Sequence, residues 1–207
     1  MNYIKTPMDI EKRSFEIIGE EMGSHNFDER ELLIAKRVIH TTADFDYKNI
    51  LYIREGAIDT ALDILRQGAR IYTDTTMAAS GINKRALKEL NCNIVNYVSD
   101  PEIAKEAKSR GITRSMAAVE RAAKEGVEIF VFGNAPTALF KLKELILKKE
   151  CNAKFIIASP IGFVGAAESK IEIEKIDIPM IVVRGRKGGS AVAASIMNAL
   201  MYMIVKR

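Results

Sequence analysis

Arg37-Val-Ile-His40-Thr-Thr-Ala-Asp44 brings a histidine, one of two in 207 residues, close to a guanidinium and a carboxylate. The run from Asp28 to Asp44 reads as a helix, with Asp28 as N-cap, acidic residues in the first turn, and Leu32, Ala35 and Ile39 on one apolar stripe. Steps of three and four residues place Arg37, His40, Thr41 and Asp44 together on the neighbouring face. An unperturbed imidazole titrates at about 6.5, so this face could exchange a proton near neutral pH. The plainer reading is a polar helix-end histidine whose cationic form complements the helix dipole.

Other residues with chemical potential cluster where apolar runs give way to helices. Gly185-Arg-Lys-Gly-Gly-Ser190 combines glycines, two cations and a helix start, which suits an anion cradle. Small residues at the same place also serve tight helix–strand packing, and both readings stay open. Its spacing is neither that of a Walker A loop nor that of a dinucleotide turn. Asp74-Thr75-Thr76-Met77, Gly133-Asn134-Ala135-Pro136 and Ser159-Pro160-Ile161-Gly162 end three further runs. Thr76, Asn134, Arg186, Gly188, Gly189 and Ser190 are therefore candidate ligand contacts. Asp74 has no second acidic residue converging on it in sequence and reads as a helix cap. No Gly-x-Ser-x-Gly elbow or glycosidase-like carboxylate pair occurs.

The elements that must position these residues follow from apolar patterning. Runs Ala69–Tyr72, Asn93–Val98, Glu128–Phe132, Lys154–Ala158 and Pro179–Val183 are short and rich in Ile, Val and Phe. Helical stretches near Lys84–Leu90, Pro101–Glu125 (broken at Gly111), Pro136–Lys149, Val164–Glu172 and Ser190–Val205 separate or follow them. Such alternation predicts an α/β, flavodoxin-like three-layer α/β/α domain with a parallel sheet of about five strands. Residues 1–68 read as a mainly helical N-terminal part, with helices through Glu21, Asp44 and Arg66 and a short extended stretch at Asn49–Ile53. Residues 69–207 form the α/β core of one domain spanning 1–207. Parallel sheets of this kind bind ligands beyond the carboxyl ends of their strands.

Composition narrows the classes. A hydrophobic share of 48% and a charged share of 28% suit a globular protein, large enough to bury a core without staples. No run reaches the roughly 18 apolar residues of a membrane span, and Met1-Asn2-Tyr3-Ile4-Lys5 opens no signal peptide, so no membrane association is expected. Cys92 and Cys151 follow no metal-ligand spacing, which points to a reducing cytoplasm and to no resident metal. A net charge of +4 and a pI near 9.0 suit a polyanion, yet the basic residues are dispersed and lack the aromatic interleaving of a nucleic-acid face.

Taken in order, Ile10-Glu-Lys-Arg-Ser14-Phe-Glu-Ile-Ile18, Arg37-Val-Ile-His40-Thr-Thr-Ala-Asp44 and Gly133-Asn-Ala-Pro-Thr-Ala-Leu139 resemble the precorrin-8X methylmutases. So do Pro160-Ile-Gly-Phe-Val164 with Glu168-Ser-Lys170, and Gly185-Arg-Lys-Gly-Gly-Ser190. The resemblance runs from about Tyr3 to the C-terminus. It implies an isomerase of corrin-ring synthesis that moves a methyl group from C-11 to C-12 of (cobalt-)precorrin-8, giving cobyrinate or hydrogenobyrinate. It also implies a homodimer with a flavodoxin-like core, a tetrapyrrole polycarboxylate substrate and no cofactor. The family's catalytic histidine matches His40, and Ser14, Arg37 and Arg114 match positions that look like substrate contacts. Two other classes compete: a corrinoid carrier without turnover, and a flavodoxin-like signalling or nucleotide module suggested by fold alone.

Overall fold

The computed structural model describes residues 5–205, so Tyr3, where the family resemblance begins, lies outside the described residues. The chain opens with α1 (Pro7–Glu21), α2 (Glu29–Thr42), α3 (Tyr47–Ile50), β1 (Leu51–Ile53) and α4 (Ala57–Arg66). It continues through β2 (Arg70–Thr73), α5 (Thr76–Gly81), α6 (Lys84–Glu89), β3 (Asn93–Val95), α7 (Pro101–Arg110) and α8 (Arg114–Lys124). The remainder is β4 (Ile129–Phe132), α9 (Pro136–Leu147), β5 (Phe155–Ala158), α10 (Ala166–Ile173), β6 (Met180–Val183) and α11 (Ser190–Tyr202). Among the described residues no helix is long and apolar enough to cross a membrane.

The strands form one sheet in the order β1-β6-β5-β4-β2-β3, parallel throughout except for β1. Its parallel part has the doubly wound, flavodoxin-like order anticipated from the alternation of runs and helices. Alternate side chains explain why the strands are apolar on both faces. Ile71, Ile129, Val131, Ile157 and Ile181 join the core beneath α2, α4 and α11. Tyr72, Phe130, Phe132, Ile156 and Val182 join a second core beneath α8 and α9.

Three local readings are corrected. The stretch Asn49–Ile53 begins as α3 and then becomes a sixth, antiparallel edge strand, with Tyr52 opposite Val182. Main-chain bonds from Arg184 to Ile50 (2.8 Å) and from Arg54 to Met180 (3.0 Å) extend the pairing. The Arg54 guanidinium anchors that edge by donating to the carbonyls of Glu174, Ile176 and Ile178. The second parallel strand stops at Val95 instead of Val98, because Asn96 turns its amide onto the Thr73 carbonyl, 2.7 Å away. The Thr76–Gly81 segment is a short helix, with the Thr75 hydroxyl accepting from the Ala78 N–H at 3.0 Å.

Candidate active site

α2 carries the histidine and is well specified at its start. The Asp28 carboxylate accepts from the N–H groups of Arg30 and Glu31, each at 2.8 Å, and Glu31 reaches back to the Asp28 N–H at 3.0 Å. This capping box fixes the helix register. Ile34, Ala35, Val38 and Ile39 are buried, chiefly against α11, which leaves Arg37, His40 and Thr41 along the exposed rim.

The helix ends at Thr42, two residues earlier than expected. Ala43 takes a left-handed conformation (φ 53°), so Asp44 leaves the helical face that it was expected to share with His40. Its carboxylate meets the Lys187 ammonium at 2.5 Å and accepts the Asp46 N–H at 2.9 Å. The Lys187 hydrogen bond holds the Asp44 carboxyl below its usual range. Asp44 is thus a tie between the His40 helix and the loop after β6.

The carboxylate beside Arg37 is Glu11 of α1, with Nη1 and Oε1 2.6 Å apart. The guanidinium lies 4.8 Å from the Phe15 ring centroid and 5.2 Å from that of Tyr202. His40 packs its ring at a tilt on the same Phe15, with centroids 5.4 Å apart. Arg37 and His40 separate two clefts. One, of about 740 Å³, lies between α1 and α2 and is walled by Met8, Ile10, Phe15 and Leu33. The other, of about 320 Å³, is framed by Thr41, Gly81, Ala191, Ala194 and Tyr202. Burial, and secondarily the Arg37 charge, lower the His40 pKa from its ordinary value. An imidazole so placed is largely neutral at pH 7 in the free protein and a stronger acid once protonated.

The loops at the carboxyl end of the sheet are packed backbone to backbone. The Ser190 hydroxyl lies 2.7 Å from that of Thr75, and the Gly189 N–H donates to the Ser159 carbonyl at 2.8 Å. A Cβ on Gly188 would stand 2.1 Å from the same carbonyl oxygen, and one on Gly133 would stand 2.6 Å from the Ser190 Cα. Gly188 therefore serves close packing, and the Gly189 N–H is already committed rather than presented as part of an open anion cradle. Lys170, fully buried on α10, donates to the carbonyls of Pro160 and Lys187, each at 2.9 Å, and so staples the loops after β5 and β6. Burial lowers its pKa to about 8.

Asp74 caps no helix, contrary to its reading from sequence: α5 is capped by Thr75, and α9 has no side-chain cap. Its buried carboxylate accepts the N–H groups of Gly133 (2.8 Å), Asn134 (2.8 Å) and Ala135 (2.6 Å) on the approach to α9. Burial pushes this carboxyl up while the N–H donors pull it back; with all of them aimed at its oxygens, the charged form is the one that fits. The donors lie between β2 and β4, where the winding direction of the sheet reverses.

Of the candidate residues, the structure brings Arg37, His40 and Thr41 together, with the Thr41 hydroxyl donating to the Arg37 carbonyl at 2.9 Å. Ser14 lies on α1, its hydroxyl donating to the Ile10 carbonyl at 2.8 Å. Thr76 and Asn134 are exposed at the carboxyl rim, and Arg186 lies 5.5 Å from the ring centroid of the exposed Phe163. Arg114 starts α8 over the opposite face of the sheet, beside the contact of Thr113 with Thr137 at 3.1 Å. It does not join the His40 cluster within one chain. Glu11, Phe15, Tyr202 and Lys170 were not singled out from sequence. The spacing of Glu11 and Phe15, one helical turn apart, was the available signal for the first two.

A doubly wound sheet with a rim histidine between two clefts, backed by an arginine and aromatic rings, defines an α/β protein with an open, ligand-sized cleft. Comparison with known proteins narrows this class. The family model described as precorrin-8X methylmutase matches residues 9–203, and the chain belongs to that family. It is 47% identical to the cobalt-precorrin-8 methylmutase of Salmonella typhimurium, over 98% of both chains. It is 40% identical to the enzyme of that name from Leptospira interrogans, over 96% of this chain and 94% of the relative. The crystal structure of precorrin-8X methylmutase from Thermus thermophilus superimposes with a TM-score of 0.89 at 35% identity, covering 95% of each chain.

Proposed function

We propose that this protein is the isomerase that moves a methyl group from C-11 to C-12 of the precorrin-8 macrocycle, with His40 as proton donor and acceptor. The observation that carries the reading is His40 itself, an imidazole on the ridge between two clefts, with Arg37 one turn behind it. A suprafacial 1,5-shift needs no redox step. A proton given to the conjugated ring changes its electron demand and relieves crowding at the methylated carbon. The methyl group migrates, and the same proton returns to the imidazole, so the reaction is a net isomerisation. Positioned acid–base catalysis of this kind contributes roughly 10²- to 10⁴-fold. The apolar wall of Met8, Ile10, Phe15 and Leu33 suits the ring, while Arg37 and the rim residues Ser14, Thr41, Thr76, Asn134, Arg186 and Ser190 suit its acetate and propionate arms.

The likeness to the Salmonella enzyme supports a substrate whose ring already holds cobalt. The active unit in this reading is a homodimer in the cytoplasm. The cleft between α1 and α2 is open to solvent, and exposed Phe163 and Val164 on the loop after β5 suit contact with a partner chain. Replacement of His40 by Ala tests the reading. Turnover of cobalt-precorrin-8, followed by its visible spectrum, is expected to vanish while the circular dichroism of the protein stays unchanged. Wild-type turnover by this variant would remove His40 from the chemistry. Retained corrinoid binding by a wild-type protein that never converts its ligand would favour a carrier instead.

A further inference from the structure

We propose that Glu11 is a built-in surrogate for a substrate carboxylate: it occupies Arg37 in the free protein and is displaced when a carboxylate arm of the ring arrives. This rests on the assignment of Arg37 as a substrate contact. The pair is close, 2.6 Å, and half-buried, with side chains 17% and 25% exposed. Its surroundings in the large cleft are mostly apolar, so neither charge is well solvated there.

Arg37 does not need Glu11 to stay in place. Phe15 and Tyr202 already flank its guanidinium at 4.8 and 5.2 Å, from two different helices. Cation–π contacts of this kind fix the plane of the guanidinium and leave its edge for a carboxylate. Glu11 shares α1 with Phe15, but its carboxylate sits at the end of a flexible side chain. A rotamer change of Glu11 would release the guanidinium edge while Phe15 and Tyr202 stay in place.

A carboxylated ring replaces one Arg37–carboxylate pair with another, and additionally meets repulsion from Glu11 until that side chain withdraws. A ring without carboxylates cannot replace the lost partner and would leave a half-buried charge unpaired. Arg37 therefore sets the preference for carboxylated rings, while Glu11 weakens binding of every ligand that must take the guanidinium edge.

Cobyrinate and its fully methyl-esterified form are the probes, titrated against wild type, Glu11→Gln, Arg37→Leu and the double variant by visible absorbance. Glu11→Gln is isosteric and spares the helix. It is expected to bind cobyrinate about three- to tenfold more tightly, from removal of one half-screened like charge. The tightening should vanish in the Arg37→Leu background. The ester should also gain from Glu11→Gln only when Arg37 is present, and should stay the weaker ligand throughout. Unchanged or weaker cobyrinate binding by Glu11→Gln, with Arg37→Leu still impaired, would show that Glu11 only steadies Arg37 and would overturn the proposal. Wild-type affinity in Arg37→Leu would instead remove Arg37 from the site, and the surrogate role with it.

Discussion

Replacement of Gly188 by Ala tests the close packing of the carboxyl-end loops. The added Cβ would stand 2.1 Å from the Ser159 carbonyl oxygen and 2.9 Å from its carbon, well inside any tolerated contact. Gly188 also has φ +151°, a backbone region that L side chains avoid. That strain costs about 1–3 kcal/mol, and forcing the carbonyl aside costs about 1–3 kcal/mol more. The displaced carbonyl would also lose the Gly189 N–H, a net loss of about 1 kcal/mol. A total near 5 kcal/mol is expected, read by urea unfolding as a fall in midpoint of about 2.5 M at a typical slope of about 2 kcal/mol per M. Gly185→Ala is the control. Gly185 is also left-handed, at φ +75°, but nothing lies within 4 Å of its added Cβ, so its cost should be near 1 kcal/mol. Equal destabilisation of the two variants, or a Gly188→Ala cost below about 1 kcal/mol, would refute the steric reasoning.

Lys170 should make stability depend on pH in a defined window. Its folded pKa of about 8 lies below that of an unfolded lysine at about 10.4, so the unfolded chain binds more protons between those values and stability rises with pH across them. Lys170→Met should flatten this rise, worth up to about 3 kcal/mol, and a profile identical to wild type would show that the burial penalty is met otherwise. Arg114→Ala should sediment like wild type, as a dimer of 23.0 kDa chains, yet lose corrinoid affinity if its helix start faces a partner's cleft. A fully active monomer would exclude that shared arrangement, and wild-type affinity in the variant would exclude the residue.

The five apolar runs and the helices between them were legible because a sheet buried on both faces leaves continuous Ile, Val and Phe. The edge strand β1 was legible only as a short extended stretch; its antiparallel place in the sheet was not, since three residues carry little pattern and the long-range grip of Arg54 on three carbonyls holds it there. The His40 helix was legible from its cap to its last turn. Its end was not, because Ala43 turns left-handed without the glycine that usually marks such a stop. That single residue moved Asp44 out of the histidine's company. Glu11 takes the expected carboxylate position by tertiary packing of α1 on α2, which helical spacing within α2 cannot report. Spacing also marked Gly188 as small-residue packing or anion binding, but only the position of Ser159 distinguished the two.

Asp74 has a consequence for what else the fold can do. The N–H groups of residues 133–135, at the reversal of the sheet, form the kind of nest that in other proteins receives a free anion. Here the anion is tethered to the neighbouring strand, so its binding loses almost no translational freedom. Its effective concentration at the nest is of the order that intramolecular reactions reach, many molar to far higher. A dissolved phosphate or nucleotide at millimolar level competes at a disadvantage of at least about a thousandfold on that count alone, roughly 4 kcal/mol. The usual ligand seat of the architecture is thereby filled by the protein's own carboxylate and closed to a dissolved anion.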